Sequence, residues 1–313
     1  MNPFPQPILR RFRLNFSVPA LTALVATLAL AFAAVPPAAK VLVVNSDTSV
    51  AKYAEVQLSF KETLGAGQLT EVDLAKSGDP GVRRALLDNP TVIYCIGGNA
   101  YQTAQKLAKG KFIVLSTAIN WERFKVDART TRVIANELPA VQQLTLFRQF
   151  FPKLQRIGVI YSPAINKLWF DQAVLAGKEV GVEVVGNPVS RNSQVAAELS
   201  KLAPKVDALW LASDPVVIET EAAVKLYFAR ADAAGKPVFT YTPAFTDLGA
   251  TLVIAPDMPT IGRQAAGVAQ DYAGSQAVST PAGSEVTLNL SRVKQYGMDF
   301  NREALDSVNN LIR

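Results

Sequence analysis

The chain has 313 residues, a formal net charge of +6 and 49% hydrophobic residues, which is an ordinary globular composition. It contains no histidine, which excludes Ser-His-Asp and Cys-His catalysis and the common histidine-based zinc sites. The single cysteine, Cys95, cannot form an internal disulfide, and its apolar neighbours predict a buried structural thiol. The small positive excess is scattered rather than gathered in a stripe, so we expect no nucleic-acid partner. We also expect no metal and no cofactor.

The first 39 residues have the pattern of a secretory signal peptide. Three arginines between residues 10 and 13 form a basic region, and the apolar segment Ala20–Ala34 follows it. The sequence Ala-Phe-Ala near the end of that segment matches a small-x-small cleavage site. The apolar core is shorter than the roughly 20 residues of a spanning helix. We expect a signal peptide, and the alternative is an uncleaved N-terminal anchor.

From Lys40 onward, apolar runs of strand length alternate with helical patterns, which predicts βαβ units and parallel sheet. The run Val41–Val44 predicts a strand, and after a polar turn Val50, Tyr53 and Val56 recur at the helical period. Asp79, followed by proline, is the predicted N-cap of the second helix. Residues 40–135 thus form a first lobe, whose predicted strands are Val41–Val44, Gln68–Leu74, Val92–Ile96, Phe112–Leu115 and Arg132–Ala135.

The pattern restarts in residues 136–248, which predict a second lobe of similar architecture. Its first strand, Arg156–Tyr161, is followed by a serine, and the first strand of the first lobe likewise leads to a serine at position 46. Further strands are predicted at Val182–Val185, Val206–Leu211 and Val238–Tyr241. We expect residues 249–280 to return to the first lobe, and residues 281–313 to form a crossover strand and a C-terminal helix.

Polar residues gather where the predicted strands end, the position at which open α/β sheets bind ligands. Each of these side chains has a competing explanation as a helix cap, and this is strongest for Asp214, which precedes a proline. Asp47 and Asp214 are candidate partners for a ligand amino group, and no catalytic motif accompanies them. The polar candidates are Asn45, Ser46, Asp47, Gly98, Asn99, Thr117, Asn120, Ser162, Asn166 and Asp214.

Three aromatic residues near the strand ends complete the predicted ligand site. Trp121, Trp169 and Tyr241 offer flat apolar faces on which a solute can stack. The alternative for each is a place in the core or between lobes. Trp210 lies in the middle of a predicted strand, so we expect it in the core.

Several segments resemble the ABC-transporter substrate-binding proteins of the tryptophan/tyrosine type. The resemblance extends over most of the chain after Lys40, although Gly97-Gly98 and Asn120-Trp121 stand where relatives usually carry Gly-Thr and Asp-Pro. It implies an α/β fold of the type I periplasmic-binding-protein class, with two Rossmann-like lobes joined by a hinge. The segments that carry it are KVLVVNSD, VIYCIGGNAYQTA, PKLQRIGVIYSPAINK, VDALWLASDPVV, GKPVFTY and GRQAAGVAQDYAGS.

This resemblance implies a monomeric periplasmic protein that captures a small polar or amphipathic, amino-acid-like solute for an inner-membrane ABC permease. Closure would occur about crossings near 133–136, 242–248 and 279–286. The alternative is a sensory or accessory protein of the same fold that signals to a membrane partner. Enzyme activity has the least support, because the chain lacks histidine and any catalytic motif.

Overall fold

The structure is a computed structural model that describes residues 40–65 and 69–313. The expected signal peptide, residues 1–39, lies outside the described residues. Among the helices of the described part, none combines the length and apolar character needed to cross a membrane.

The described chain alternates between strands and helices almost throughout. The strands are β1 (Val41–Asn45), β2 (Leu69–Asp73), β3 (Val92–Ile96), β4 (Phe112–Ser116), β5 (Thr131–Ile134), β6 (Arg156–Tyr161), β7 (Glu183–Pro188), β8 (Ala208–Leu211), β9 (Val238–Thr240), β10 (Leu252–Pro256), β11 (Val278–Ser279), β12 (Ser284–Asn289) and β13 (Asn310–Ile312). The helices are α1 (Ala51–Leu64), α2 (Leu74–Leu86), α3 (Gly98–Leu107), α4 (Ala140–Phe150), α5 (Pro163–Val180), α6 (Val195–Leu202), α7 (Glu221–Ala233), α8 (Met258–Gln270) and α9 (Leu290–Gln295).

The strands form two sheets, one for each lobe. The first has the order β11-β5-β4-β3-β1-β2, and the second has the order β13-β12-β10-β9-β8-β6-β7. Within the described strands, β12 runs antiparallel to β10 and the other pairs are parallel. Each lobe repeats the 2-1-3-4-5 order of a doubly wound sheet, in which ligands bind beyond the carboxyl ends of the strands. The predicted two-lobed α/β fold is confirmed.

The first lobe explains why β1 is apolar on consecutive residues. Leu42 and Val44 pack on the face that carries α2 and α3, whereas Val41 and Val43 pack on the face that carries α1 and α8. All four side chains are buried. A central parallel strand covered by helices on both faces requires such a run. Cys95 of β3 is also fully buried, as expected, and burial raises the pKa of its thiol.

The second lobe has an aromatic core beneath α4. The Phe147 ring meets the Trp210 ring edge to face at 5.4 Å, and Phe151 stacks on Phe239 at 5.1 Å. Trp210 is 1% exposed, so its predicted place in the core is confirmed. Rings in such arrangements contribute about 0.5–1.5 kcal/mol per pair beyond the area they bury.

Three segments connect the two sheets: residues 135–139, Asp257 and residues 280–283. The crossing expected at 242–248 is wrong, because the strands on both sides of it, β9 and β10, pair in the second sheet. Likewise, β10 does not return to the first lobe. Only α8 and β11 do so, since α8 packs against the α1 face and β11 pairs with β5.

Two predicted helix positions differ from the structure. The second helix begins at Leu74 rather than near Asp79, because the Asp73 carboxylate accepts the N–H of Lys76 and caps it. The kink at Gly78, where φ is 56°, falls just before the predicted start. The expected C-terminal helix is a short 3-10 turn, Arg302–Ser307, followed by β13.

Candidate functional site

A pocket lies between the two lobes at the carboxyl ends of their strands. Its cavity volume is about 270 Å³, which suits a small solute. The first lobe contributes the turn after β4, and the second lobe contributes α5 and the ends of β8, β9 and β10. The crossing 135–139 and the start of α4 line the side between them. The pocket is therefore built from both lobes and from one of the segments that connect them.

Aromatic rings form the apolar part of this interlobe pocket. Trp169 of α5 meets Trp210 of β8 edge to face, with ring centroids 4.9 Å apart. Tyr241, directly after β9, also lines the pocket and is half-buried. Burial raises the pKa of Tyr241, so its hydroxyl remains protonated at neutral pH. Trp169 and Tyr241 thus offer apolar faces and one hydroxyl to a bound molecule, and the buried Trp210 packs against Trp169 from the core.

The polar part of the pocket includes hydrogen-bond acceptors on one short segment, beside polar side chains such as Arg123 and Gln172 from other elements. Asn136 is 8% exposed and Gln143 is 4% exposed, yet Asn136 Oδ1 and Gln143 Oε1 have no hydrogen-bond partner among the described residues. A buried acceptor without a partner costs about 1–3 kcal/mol. Glu137, between them in sequence, accepts the N–H of Asn120 at 3.1 Å. Its burial raises its pKa to about 7.

The turn after β4 shows backbone strain next to the pocket. Thr117 and Asn120 both have left-handed backbones, with φ values of 56° and 51°. A β-branched residue such as threonine adopts this region only where the surrounding structure enforces it, at a cost of about 1–3 kcal/mol. The turn brings Asn120 to the pocket and places its N–H against Glu137. Thr117 is buried, and its hydroxyl donates to the carbonyl oxygen of Ser116.

Asp214 stabilises the second-lobe wall of the pocket through hydrogen bonds. It is fully buried, and its carboxylate accepts the N–H of Ser162 at 2.6 Å and the side-chain amide of Asn166 at 2.9 Å. The N–H groups of Val216 and Val217 donate to its other oxygen. With four donors, Asp214 has no need of a ligand. It braces the turn that follows it and is not a helix cap, because α7 begins seven residues later with its own N-cap. Asn166 lines the pocket with the rest of its side chain.

The polar residues after β1 are satisfied by one another and by nearby backbone. The Ser46 hydroxyl donates to Ile96 O at 2.8 Å and accepts the N–H of Ala100 at 3.0 Å. Asn45 bonds Gln57 Oε1 at 2.7 Å, and Asp47 accepts the N–H of Ser49 at 2.9 Å.

The glycine and asparagine after β3 lie beside this turn, away from the interlobe pocket. A side chain at Gly98 would come 2.5 Å from the ring of Phe124, so packing explains the glycine. Ser46, Asp47, Gly98 and Asn99 border a separate open hollow between α1, α2 and α3.

The structure thus sorts the sequence candidates into two groups. Asn120, Asn166, Trp169 and Tyr241 line the interlobe pocket. The residues that do not line it are Asn45, Ser46, Asp47, Gly98, Asn99, Thr117, Trp121, Ser162 and Asp214.

Trp121 is partly buried against the core of the first lobe beside Phe124. Sequence reasoning missed Asn136, Glu137 and Gln143. Their only available signal was their place in the crossing after the fifth strand.

Two doubly wound lobes, joined by three crossings and enclosing a pocket, define the type I periplasmic-binding-protein architecture. The family model described as "ABC transporter substrate binding protein" matches residues 81–310. The chain therefore belongs to the ABC transporter substrate-binding protein family. A search of curated proteins found no match.

Solved structures share the fold. The ligand-free, open form of a substrate-binding protein with adhesive properties from Clostridium difficile superposes with a TM-score of 0.67 at 17% identity, covering 88% of this chain and 99% of that one. A conserved domain protein from Vibrio cholerae gives 0.59 at 20% identity, covering 88% and 99%. An ABC domain from Streptococcus pneumoniae in complex with L-Trp gives 0.56 at 16% identity, covering 87% and 100%.

Proposed function

We propose that this protein captures a small amphipathic, amino-acid-like solute in the interlobe pocket and delivers it to an inner-membrane ABC permease. The observation that carries this proposal is the composition of the pocket. Aromatic side chains at Trp169 and Tyr241 and unpartnered acceptors at Asn136 and Gln143 line the same pocket. Such a site suits a molecule with one apolar and one polar end. The L-Trp complex of the structurally similar domain from Streptococcus pneumoniae is consistent with this class.

We further propose a periplasmic location and a mode of action by closure of the two lobes. The signal-like N-terminus supports export to the periplasm, where a monomer would meet its solute. Closure about the three crossings would bring the turn after β4 toward α5 and shield the solute from water. The described residues of the pocket form no recognised catalytic group, so we propose binding without catalysis.

A thermal-shift screen against amino acids, amines, sugars, nucleosides and small carboxylates tests the proposal. A ligand at a hundredfold excess over its Kd stabilises the native state by about 2.7 kcal/mol, which is readily seen as a higher Tm. We expect at least one amphipathic solute to raise the Tm. If no class of solute does so, the proposed capture function is wrong and the sensory or accessory alternative gains support. Neighbouring genes for a permease and an ATPase, as opposed to a sensor kinase, separate transport from sensing.

A further inference from the structure

The acceptors of the interlobe pocket form a compact group on the crossing from β5 to α4. Asn136 Oδ1 and Gln143 Oε1 are both buried and both lack a partner among the described residues. The amide nitrogen of Gln143 is already used, since it donates to Leu138 O at 2.9 Å. The Gln143 side chain therefore keeps only its acceptor for another molecule. The two amide oxygens can therefore accept hydrogen bonds from donors on a bound molecule.

The third member of the group, Glu137, adds charge to this acceptor set. Its one hydrogen bond from outside its own segment is the N–H of Asn120, at 3.1 Å from Oε1. Asp214, the other carboxylate at these strand ends, accepts two hydrogen bonds from outside its own segment and two more from within it. Ionised Glu137 thus has acceptor capacity to spare on a pocket wall, and no salt bridge of the described residues includes it.

The other charged and titratable groups around Glu137 come from three elements. Glu122, in the 3-10 turn Trp121–Phe124, opposes its ionisation, and burial opposes it more strongly. Lys52 of α1 is close enough to interact with Glu137 electrostatically, but burial lowers the pKa of Lys52. Tyr241 lies beyond β9, and Arg123 lines the pocket with an exposed side chain. Neither Lys52 nor Arg123 forms a salt bridge with Glu137, so its carboxylate has no direct cationic partner among the described residues.

We propose that the pocket recognises the primary ammonium group of its solute through Asn136, Glu137 and Gln143, and that capture requires Glu137 in its ionised form. A primary ammonium has three N–H donors and one positive charge. Two donors satisfy the amide oxygens and the third meets the carboxylate in a charge-assisted hydrogen bond. A neutral amide or hydroxyl leaves the carboxylate charge uncompensated, and a carboxylate ligand is repelled by it. This inference rests on the proposed solute-binding function.

The first experiment uses solutes that share an apolar part and differ only in the head group. Matched sets on phenyl, indole and butyl scaffolds carry an amine, an amino acid, a carboxylic acid or a primary amide. We expect the amine and amino-acid members to raise the Tm at pH 8, and the acid and amide members to leave it unchanged. Acids or amides that bind as tightly would overturn the ammonium proposal and leave solute binding intact. If no member of any set and no other solute changes the Tm, both the ammonium proposal and the solute-binding proposal are wrong.

The second experiment follows the affinity of the best amine by calorimetry between pH 5.5 and pH 8. Because the affinity follows the ionised fraction of a carboxyl with a pKa of about 7, it should fall about thirtyfold from pH 8 to pH 5.5. Glu137→Gln should weaken binding at pH 8 and remove the pH dependence. Glu179→Gln makes the same chemical change at an exposed position of α5. It should change neither the affinity at pH 8 nor the pH dependence of the affinity.

The two variants also separate recognition from folding. Cooperative thermal unfolding of Glu137→Gln shows that it is folded, and a merely structural role would not remove the pH dependence of binding. An unchanged pH profile in Glu137→Gln would overturn the proposal, as would a wild-type affinity that is flat across this range.

Discussion

Two polar regions at strand ends look equivalent in sequence and differ in the structure. The residues after β1 bond one another and the backbone, as Ser46 does with Ile96 and Ala100. The crossing after β5 holds two buried amide oxygens without partners and a carboxylate with one outside donor. Polar groups that satisfy one another hold a turn in shape, whereas buried groups left unsatisfied mark where another molecule belongs. Unmet hydrogen-bonding capacity therefore identifies the candidate site better than polarity does.

The pair of carboxylates Asp214 and Glu137 shows the same contrast, and Asp214 should give the largest effect on stability. Asp214→Ala removes the acceptor for four donors, including the buried N–H of Ser162. We expect the free energy of unfolding to fall by about 3 kcal/mol, because buried donors left unpaired cost about 1–3 kcal/mol each and partly recover through water. Urea denaturation at pH 7.5 measures this.

The exposed Glu219→Ala, five residues further on, serves as the control and should change stability by less than about 0.5 kcal/mol. An Asp214→Ala protein as stable as the control would show that Asp214 does not hold the wall together.

Trp169 and Trp121 should differ in their effects on ligand binding. Trp169→Ala removes an aromatic face of the interlobe pocket and should weaken the best solute about thirtyfold, equivalent to about 2 kcal/mol. Trp121→Ala lies outside that pocket and packs on the first-lobe core, so it should lower the Tm and change the affinity less than twofold. Calorimetric titration of both variants measures the difference. Equal losses of affinity would contradict the assignment of the pocket.

The charge of Glu137 should also appear in the stability of the ligand-free protein. Burial raises the pKa of this carboxyl to about 7, above its unfolded value, so the folded state holds a proton that the unfolded state releases. Its contribution to stability is present below the unfolded pKa and is lost as the pH rises through about 7. Relative to Glu137→Gln, the wild type should lose about 2 kcal/mol between pH 5 and pH 8.

Urea denaturation of wild type and Glu137→Gln at both pH values measures this loss. A stability difference that does not change with pH would show that Glu137 titrates normally in the folded protein.

The smallest effect belongs to the turn after β1. Asp47→Asn keeps the size of a side chain whose carboxylate bonds Ser49 at the surface. We expect less than a twofold change in solute affinity, measured by the same titration. A tenfold loss would show that the solute reaches the hollow bordered by Ser46 and Asn99 instead.

The sequence predicted the fold better than it predicted the site. Apolar runs such as Val41–Val44 must be buried on both faces, and strands of this kind are typical of parallel sheets covered by helices on both sides. The assignment of β10 to a lobe failed, because local pattern does not say which sheet an apolar strand joins. Asp73 was overlooked as a cap because a residue at the end of a strand and a residue at the start of a helix look alike.

The site is harder to predict because its polar residues are recognised by missing hydrogen-bond partners, which a sequence does not show. Glu137 sits between Asn136 and Leu138 before a proline, which in sequence indicates an exposed turn. Its burial, and the unpartnered oxygens of Asn136 and Gln143, depend on tertiary packing, which the local sequence pattern does not describe. Asn120 and Tyr241 were predicted from their places at strand ends, which the pattern locates, and both line the interlobe pocket.

The most direct test is a crystal structure of the protein with the solute that raises its Tm most. We expect electron density for the solute between Trp169 and Tyr241, with its ammonium group in hydrogen-bonding reach of Asn136, Glu137 and Gln143. Density against Ser46, Asp47 and Asn99, with the interlobe pocket filled by water alone, would contradict it.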